Sequence, residues 1–522
     1  MWFSIIISTL ELGILLVVAK ITYRSYYNLY RSPLKAFPGP RLYAITSLPF
    51  DISGIQGTQY KLLAALHKKY GPIVRVRPNE LSYIDACIWK DVFTIRPGHE
   101  EWEKSDIIHP LNGVRGIIGS LRKEHRRYRR SLAHAFSKQG LKEQEPIITH
   151  HVGAMVAGIT ERCGEGLIDL GTWLSWTTTD IIGDLAFGDS FGCVDTATGH
   201  HFMESTLNLL KPSMWMGVLG RWGLGGLALV AMPKAMAAGL HANTEYVYEK
   251  LRKRIQLGKE RGDFFDHVLK HGVLDVEAVS EKQPLNAKQP ENILGFTFEE
   301  LHSTASDLVF AGSETTATVL SGVLFNLLLH PDVHSRLTSE IRSTFATDDD
   351  ITMASTNIGS LPYLDAVLQE GLRVYHPAPL FAGRIAPAGG DTIAGVYLPA
   401  GTRVSCPIGV AATSPYNFTQ PEWFAPERWL KEKGEVQLEF QEHNRGNVFQ
   451  PFSYGTRNCI GLNLAQAEMH LILSKILWHF DLSRPEENQV ARQDWEQWVE
   501  KQKIWFTWQK GPLMVDVKKR AF

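Results

Sequence analysis

The sequence predicts a mainly α-helical domain with a small β region (α+β), preceded by one N-terminal transmembrane helix. Three observations lead there: an apolar stretch at the amino terminus, one very long apolar helix pattern past the middle, and a short alternating run after it. With 522 residues, 44% hydrophobic and 21% charged, the chain can bury a large core, and nothing in it reads as disordered or repetitive. Only residues 32–40 and 275–291 resemble linkers, so one large domain is expected: 1–20 anchor, 21–40 basic and Pro-rich linker, 41–522 globular. A formal net charge of -1 gives no bias toward nucleic acid or acidic ligands. Cys87, Cys163, Cys193, Cys406 and Cys459 are scattered, with no paired CxxC, which fits a reducing compartment and speaks against a structural zinc site.

Residues 2–19 read WFSIIISTLELGILLVVA. With a few more residues that is the length of a bilayer-crossing helix, about 20 residues. Glu11 opposes insertion, at about 2.5–3.5 kcal/mol for an acid at mid-helix. No basic residue precedes the stretch, whereas Lys20, Arg24, Arg31 and Lys35 follow it, so the positive-inside rule leaves the body of the protein in the cytosol. The competing reading is a cleaved signal peptide ending near Val17 and Ala19, although the basic start it requires is missing. Pro38-Gly39-Pro40 then breaks the chain stiffly and starts the globular domain.

Thr297-Phe298-Glu299-Glu300 has capping-box spacing, and the apolar pattern from Leu301 runs through Leu329 until His330-Pro331-Asp332 stops it. A helix of about 30 residues spans about 45 Å and crosses a whole domain. Within it, FAGSETT (310–316) places Gly312, Thr315 and Thr316, all poor helix formers, at the centre. Two readings stand: close packing against a neighbouring helix, or Ala311 and Gly312 letting something flat approach while Glu314 and Thr315 supply protons and hydrogen bonds.

Further on, LDAVLQEGLRVYHPAP puts Glu370 and Arg373 on one helical face, and FAPERWL adds Arg428, which can join them in a buried network. GGDTIAGVYLPAGTRVSCP (389–407) alternates as short strands with Gly turns. FSYGTRNCIG (452–461) frames a lone Cys459, which is either a buried apolar thiol or something its neighbours were chosen to serve.

Taken together, Phe452-x-x-Gly455-x-Arg457-x-Cys459-x-Gly461, Glu370-x-x-Arg373, Pro426-Glu427-Arg428 and Ala311-Gly312-x-Glu314-Thr315-Thr316 are similar in residues, order and spacing to the haem-thiolate monooxygenases of the cytochrome P-450 superfamily. The resemblance covers about Pro38 to the carboxyl end. With its apolar start and HRRYRR wording it is similar to the fungal microsomal enzymes that oxidise terpenoids, polyketides and other secondary metabolites.

The resemblance implies haem b (iron protoporphyrin IX), with Cys459 as axial thiolate pushing electron density onto the iron. It implies that Phe452 packs under the ring, that Gly455 and Gly461 shape the loop, and that Arg457, Arg129 and Arg384 reach the propionates. Glu370, Arg373 and Arg428 resemble the scaffold behind the loop. His125 stands where relatives often have Trp, and Glu314 where many have Asp. The implied partners are O2, a lipophilic small molecule, membrane lipid and an NADPH-cytochrome P-450 reductase, with no nucleic acid, for a monomer held on the endoplasmic reticulum and facing the cytosol. Arg126, Arg127 or Arg130 either dock that acidic reductase or form a solvated face. By the same likeness, residues 107–118, 210–226, Phe310 and 380–382 line the pocket, unless they are ordinary core, or membrane contact in the case of Met214, Trp215 and Met216. Two other functions fit a haem-thiolate protein: an isomerase or dehydratase that takes no external electrons, and a non-catalytic haem sensor.

Overall fold

The computed structural model describes residues 2–105, 113–226, 232–258, 260–270, 273–274, 295–380, 383–430, 445–486, 490 and 492–521, and of 2–10 the backbone alone. The elements that position the site are, in chain order, α1 (Trp2–Tyr26), β1 (Ile73–Arg77), β2 (Glu80–Tyr83), β3 (Glu103–Lys104), α2 (Arg122–Leu132), α3 (Lys138–Arg162), α4 (Leu170–Phe187), α5 (Leu210–Arg221), α6 (Lys234–Leu257), α7 (Phe298–Leu329), α8 (Pro362–Val374), β4 (Gly383–Ile385), β5 (Arg403–Ser405), α9 (Leu462–His479), β6 (Lys503–Trp505) and β7 (Thr507–Gln509).

The central beam is α7, 32 residues long and buried over most of its surface. Its start is the expected capping box: Thr297 Oγ1 accepts from Glu300 N–H at 3.2 Å and Glu300 Oε2 accepts from Thr297 N–H at 2.9 Å. Arg127 on α2 grips the same glutamate through Nη1 at 2.8 Å and Nη2 at 2.6 Å. Arg127 is therefore spent inside the fold, and the basic face expected of α2 is left to the exposed Arg126 and Arg130.

At the middle of α7 the structure shows one close neighbour of Gly312. A Cβ there would lie 2.5 Å from Ile182 Cδ1 on α4, so close helix packing demands the glycine. Ile182 packs on the Cβ side of Gly312, and the residue keeps part of its surface accessible.

The small β region lies beside the helices as one five-stranded sheet and several two- or three-stranded ones among the described residues. The five-stranded order is β1-β2-β5-β4-β3, with β5 parallel to β2 and the other pairs antiparallel. Its edge register sets Lys104 of β3 opposite Arg384 of β4. Pro38-Gly39-Pro40 is docked on this sheet: Arg75 N–H donates to Pro38 O at 2.7 Å, and a Cβ on Gly39 would collide with the Arg75 carbonyl.

The amino-terminal stretch is a 25-residue helix, α1. Leu12, Leu15 and Leu16 on it are all more than half exposed. Among the described residues, the one helix long and apolar enough to cross a membrane is α7, which is buried in the protein. The linker expected at 275–291 lies outside the described residues, as do 107–112 and 381–382 of the expected pocket and most of the stretch leading to the cysteine, 431–444.

Candidate active site

The cysteine loop is built by close approach. Cys459 N–H donates to Phe452 O at 2.8 Å, closing the loop, and Ser453 and Gly455 take positive φ of 61° and 76°. At Gly455 any Cβ would overlap the carbonyl of Phe93, so no other residue fits there. α9 begins just past the cysteine, at Leu462. The Gly461 N–H hydrogen-bonds the sulfur, and a Cβ on Gly461 would stand 3.9 Å from it. Burial pushes the Cys459 thiol up, opposed by that N–H and by Arg129 and Lys104. Yet the residue is also exposed. Cys459 is thus an exposed residue on this loop rather than a packed core thiol.

Cations converge beside it from four separate elements. Arg129 on α2 gives Nη1 to Asn458 O at 2.5 Å and Nη2 to Asn458 Oδ1 at 2.6 Å, clamping the residue before the cysteine. Arg457 reaches Ser120 O at 2.8 Å and Glu103 at 3.2 Å, while its buried Nε has no hydrogen-bond partner. Lys104 Nζ donates to Ile118 O at 2.9 Å. Arg384 is buried over the Phe93 ring at 4.3 Å. Burial, helped by the neighbouring guanidinium groups, lowers Arg384 to about 9 and Lys104 to about 7. Burial lowers His125 to about 3, with Arg457, Arg129, Lys104 and Arg384 adding to it, so this histidine is neutral. Like charges opposite each other on paired strands destabilise a sheet. Lys104 stands across from Arg384 with Arg457 nearby, and Glu101 and Glu103 offset part of this charge, so the cluster still suits an anionic ligand. The donor set therefore fits a flat ring that brings two carboxylates to these cations and an iron to the thiol.

The remaining expected site residues lie on α7. Its partly accessible positions include Ser303, Asp307, Ala311 and Thr315, each four residues from the last, so they share one face. Thr315 Oγ1 donates to Ala311 O at 2.7 Å. Glu314 points elsewhere: it is buried, and its Oε2 accepts from Lys510 Nζ at 2.7 Å, with Ser175 Oγ 3.3 Å from the same nitrogen. Phe310 lies 5.6 Å ring to ring from Phe506. Phe506 is the single residue joining β6 to β7, held at φ 80°.

Behind the cysteine loop, Glu370 and Arg373 on α8 form a buried network that Arg428 joins. Arg373 donates to both Glu370 oxygens at 2.8 Å and to the carbonyls of Ala412, Pro421 and Trp423, and Arg428 Nε donates to Glu370 Oε1 at 3.1 Å.

Of the expected pocket, α5 has no buried residue, and Trp215 on it is 50% exposed. Arg221 at its end donates to Asp51 Oδ1 at 2.9 Å, holding α5 against the helix Leu48–Ile55. Lys510, Lys104, Asp307 and Phe506 were not foreseen from the sequence. Nothing around them in the chain marks them, and only their partners do.

A helix-rich fold with Cys459 on a glycine-shaped loop beside buried cations fits a haem-thiolate protein. The chain belongs to the cytochrome P-450 family, whose profile matches residues 38–504. It is 38% identical over 498 residues to averantin hydroxylase of Dothistroma septosporum, covering 95% of this chain and 89% of that one. It is 36% identical over 496 residues to trichothecene C-15 hydroxylase of Fusarium sporotrichioides, covering 94% of each. Versicolorin B desaturase of Aspergillus parasiticus is 35% identical over 514 residues, covering 98% of this chain and 97% of that one. The chain is thus a haem-dependent monooxygenase of a small-molecule metabolite.

Proposed function

We propose that this enzyme inserts one oxygen atom of O2 into a lipophilic fungal secondary metabolite, a terpenoid or polyketide, by hydroxylation or epoxidation. The reading is supported by the family match over residues 38–504 together with Cys459 on its glycine-shaped loop and Thr315 at a partly accessible position of α7. Cys459 is the axial ligand in this reading, Phe452, Gly455 and Gly461 shape its loop, and Arg129, Arg384, Arg457 and Lys104 take the two carboxylates of haem b. His125 packs beside these cations, and Ala311 shares the partly accessible face of α7 with Thr315. The bound haem supplies oxygen activation and transfer. Thr315 presents a hydroxyl on that face. Glu314 and Lys510 hold a proton in the adjoining buried ion pair, from which a side-chain rotation delivers it.

The test counts product against NADPH, with the full-length enzyme and a reductase in a membrane. Thr315→Ala is expected to keep haem and substrate binding while product per NADPH falls about tenfold or more, the balance appearing as hydrogen peroxide. Glu314→Gln should slow turnover in the same assay. An unchanged ratio in Thr315→Ala would assign that residue to packing alone. Product formed without NADPH would mean an isomerase, and no product at all a sensor.

Two features support a membrane setting, here taken as the endoplasmic reticulum with the catalytic domain cytosolic and monomeric, served by an NADPH-dependent reductase docked near Arg126 and Arg130. One is the uncovered apolar surface of α1, and the other is Trp215 with Trp222 beside it, about half exposed. Removing residues 1–36 is expected to free the protein from membranes with its haem spectrum intact. A truncated protein that still pellets after a carbonate wash would locate a second insertion element, with α5 the first candidate.

A further inference from the structure

We infer that the cavity between the start of α3 and the loop after α6 binds the ammonium head of an alkylamine, held by Gln144 Oε1 and the carboxylates around it. The cavity encloses about 180 Å³, and the side chains that line it include His134, Glu143, Gln144, Glu260, Asp263 and Asp266. Backbone contacts fix its walls. A Cβ on Gly140 would collide with the carbonyl of His134, and one on Gly262, which sits at φ 77°, with the carbonyl of Glu143. Gln144 is 1% exposed. Its Nε2 donates to Ala135 O at 2.7 Å, which sets the orientation of the amide, and its buried Oε1 has no hydrogen-bond partner. A buried acceptor without a donor is costly, so this oxygen calls for an N–H or O–H from an occupant of the cavity.

Charge and geometry select the ligand. Asp263 and Asp266 share one guanidinium, that of Arg254, which gives Nε to Asp263 Oδ2 at 2.5 Å and Nη2 to Asp266 Oδ1. Glu143 and Glu260 add two carboxylates at exposed positions, with His134 Nε2 3.6 Å from Glu143 Oε2. Among the described residues no lysine or arginine lines the cavity, so acceptors and negative charge dominate it and an anion is repelled. A hard metal ion needs several oxygens about 2.0–2.6 Å from one point. Among the described residues no group of three His, Cys, Asp or Glu could hold one. A cation that carries its own N–H donors fits both facts, because an ammonium has three: one for Gln144 Oε1 and the others for the carboxylates. A single water needs only about 10–15 Å³ of such volume, so there is room for a short alkyl chain behind the head.

The competing explanation is that the cavity holds only water, one molecule of which donates to Gln144. The probe is n-butylammonium chloride, titrated by calorimetry into the full-length, haem-loaded enzyme. Tetramethylammonium chloride, which has the charge but no N–H, and calcium chloride are titrated in parallel. Wild type is expected to show one saturable butylammonium site, about tenfold or more tighter than tetramethylammonium. Gln144→Met, which removes the acceptor at similar length, should weaken that site about tenfold. Because this change also cuts the tether to Ala135, the exposed pair Glu143→Gln with Glu260→Gln supplies a second test, with an expected loss of about threefold. Nα-acetyllysine methylamide names the source of the head: affinity at or above that of butylammonium assigns it to a lysine of a partner protein, and weaker affinity to a free amine. No saturable butylammonium heat would leave water alone in the cavity and overturn the inference. So would equal binding of tetramethylammonium, tighter binding of calcium, or an affinity unchanged in the Glu143→Gln, Glu260→Gln enzyme. The haem absorption is followed through the same titration, and a shift with the calorimetric midpoint would put the amine on the iron and equally overturn it.

Discussion

Arg373→Ala is expected to destabilise the protein by about 3–5 kcal/mol, because it strips the partner from a buried carboxylate. Both side chains are fully buried, and the guanidinium spends its donors on Glu370 and on the carbonyls of Ala412, Pro421 and Trp423. Glu370 would keep Arg428 Nε at 3.1 Å, Trp429 Nε1 at 2.9 Å and Ala425 N–H at 2.9 Å, which limits the loss without cancelling it. Three carbonyls would lose their donor in the same step. Against a total stability of about 5–15 kcal/mol, that is enough to depress the yield of folded, haem-loaded enzyme. Arg373→Lys is no rescue, since an ammonium cannot reproduce the bidentate fork on Glu370. Urea denaturation with haem content measured in parallel checks this. A midpoint within about 1 kcal/mol of wild type would show that the network is dispensable.

Cys459→Ala should do the reverse, abolishing oxygenation while hardly changing the stability of the fold. A packed apolar thiol removed from a core leaves a cavity and costs stability in proportion. Cys459 is an exposed residue rather than a packed core thiol, so truncating it costs the polypeptide itself little packing. The loss falls on the haem: without a thiolate ligand the reduced carbon monoxide complex should lose its thiolate-type spectrum, and product formation should stop. Circular dichroism melts and the carbon monoxide spectrum measured on the same sample distinguish the two effects. A retained thiolate spectrum would remove Cys459 as ligand, and a large drop in melting temperature would return it to the packing role.

The contrast between these two residues shows how far a sequence can be read. Glu370 and Arg373 announce their shared face by i,i+3 spacing. Both ends of α7 were legible because a capping box and a His-Pro stop are local chemistry, written in adjacent residues. The cysteine loop was legible for the same reason, since Gly455 and Gly461 act within a few residues of Cys459. By itself, then, the sequence determined the helix-rich class, the beam through its centre and the residues of the cysteine loop.

Tertiary structure alone decided whom each charge and each glycine meets. Glu314 pairs with Lys510, 196 residues away, Arg127 is drawn inward by Glu300, and Gly312 is claimed by Ile182 on α4. Lys104 meets Arg384 only through the register of β3 on β4. The physical reason is the same throughout. Periodicity along a helix or strand records which way a side chain faces, whereas the partner it meets there is set by packing between elements far apart in the chain.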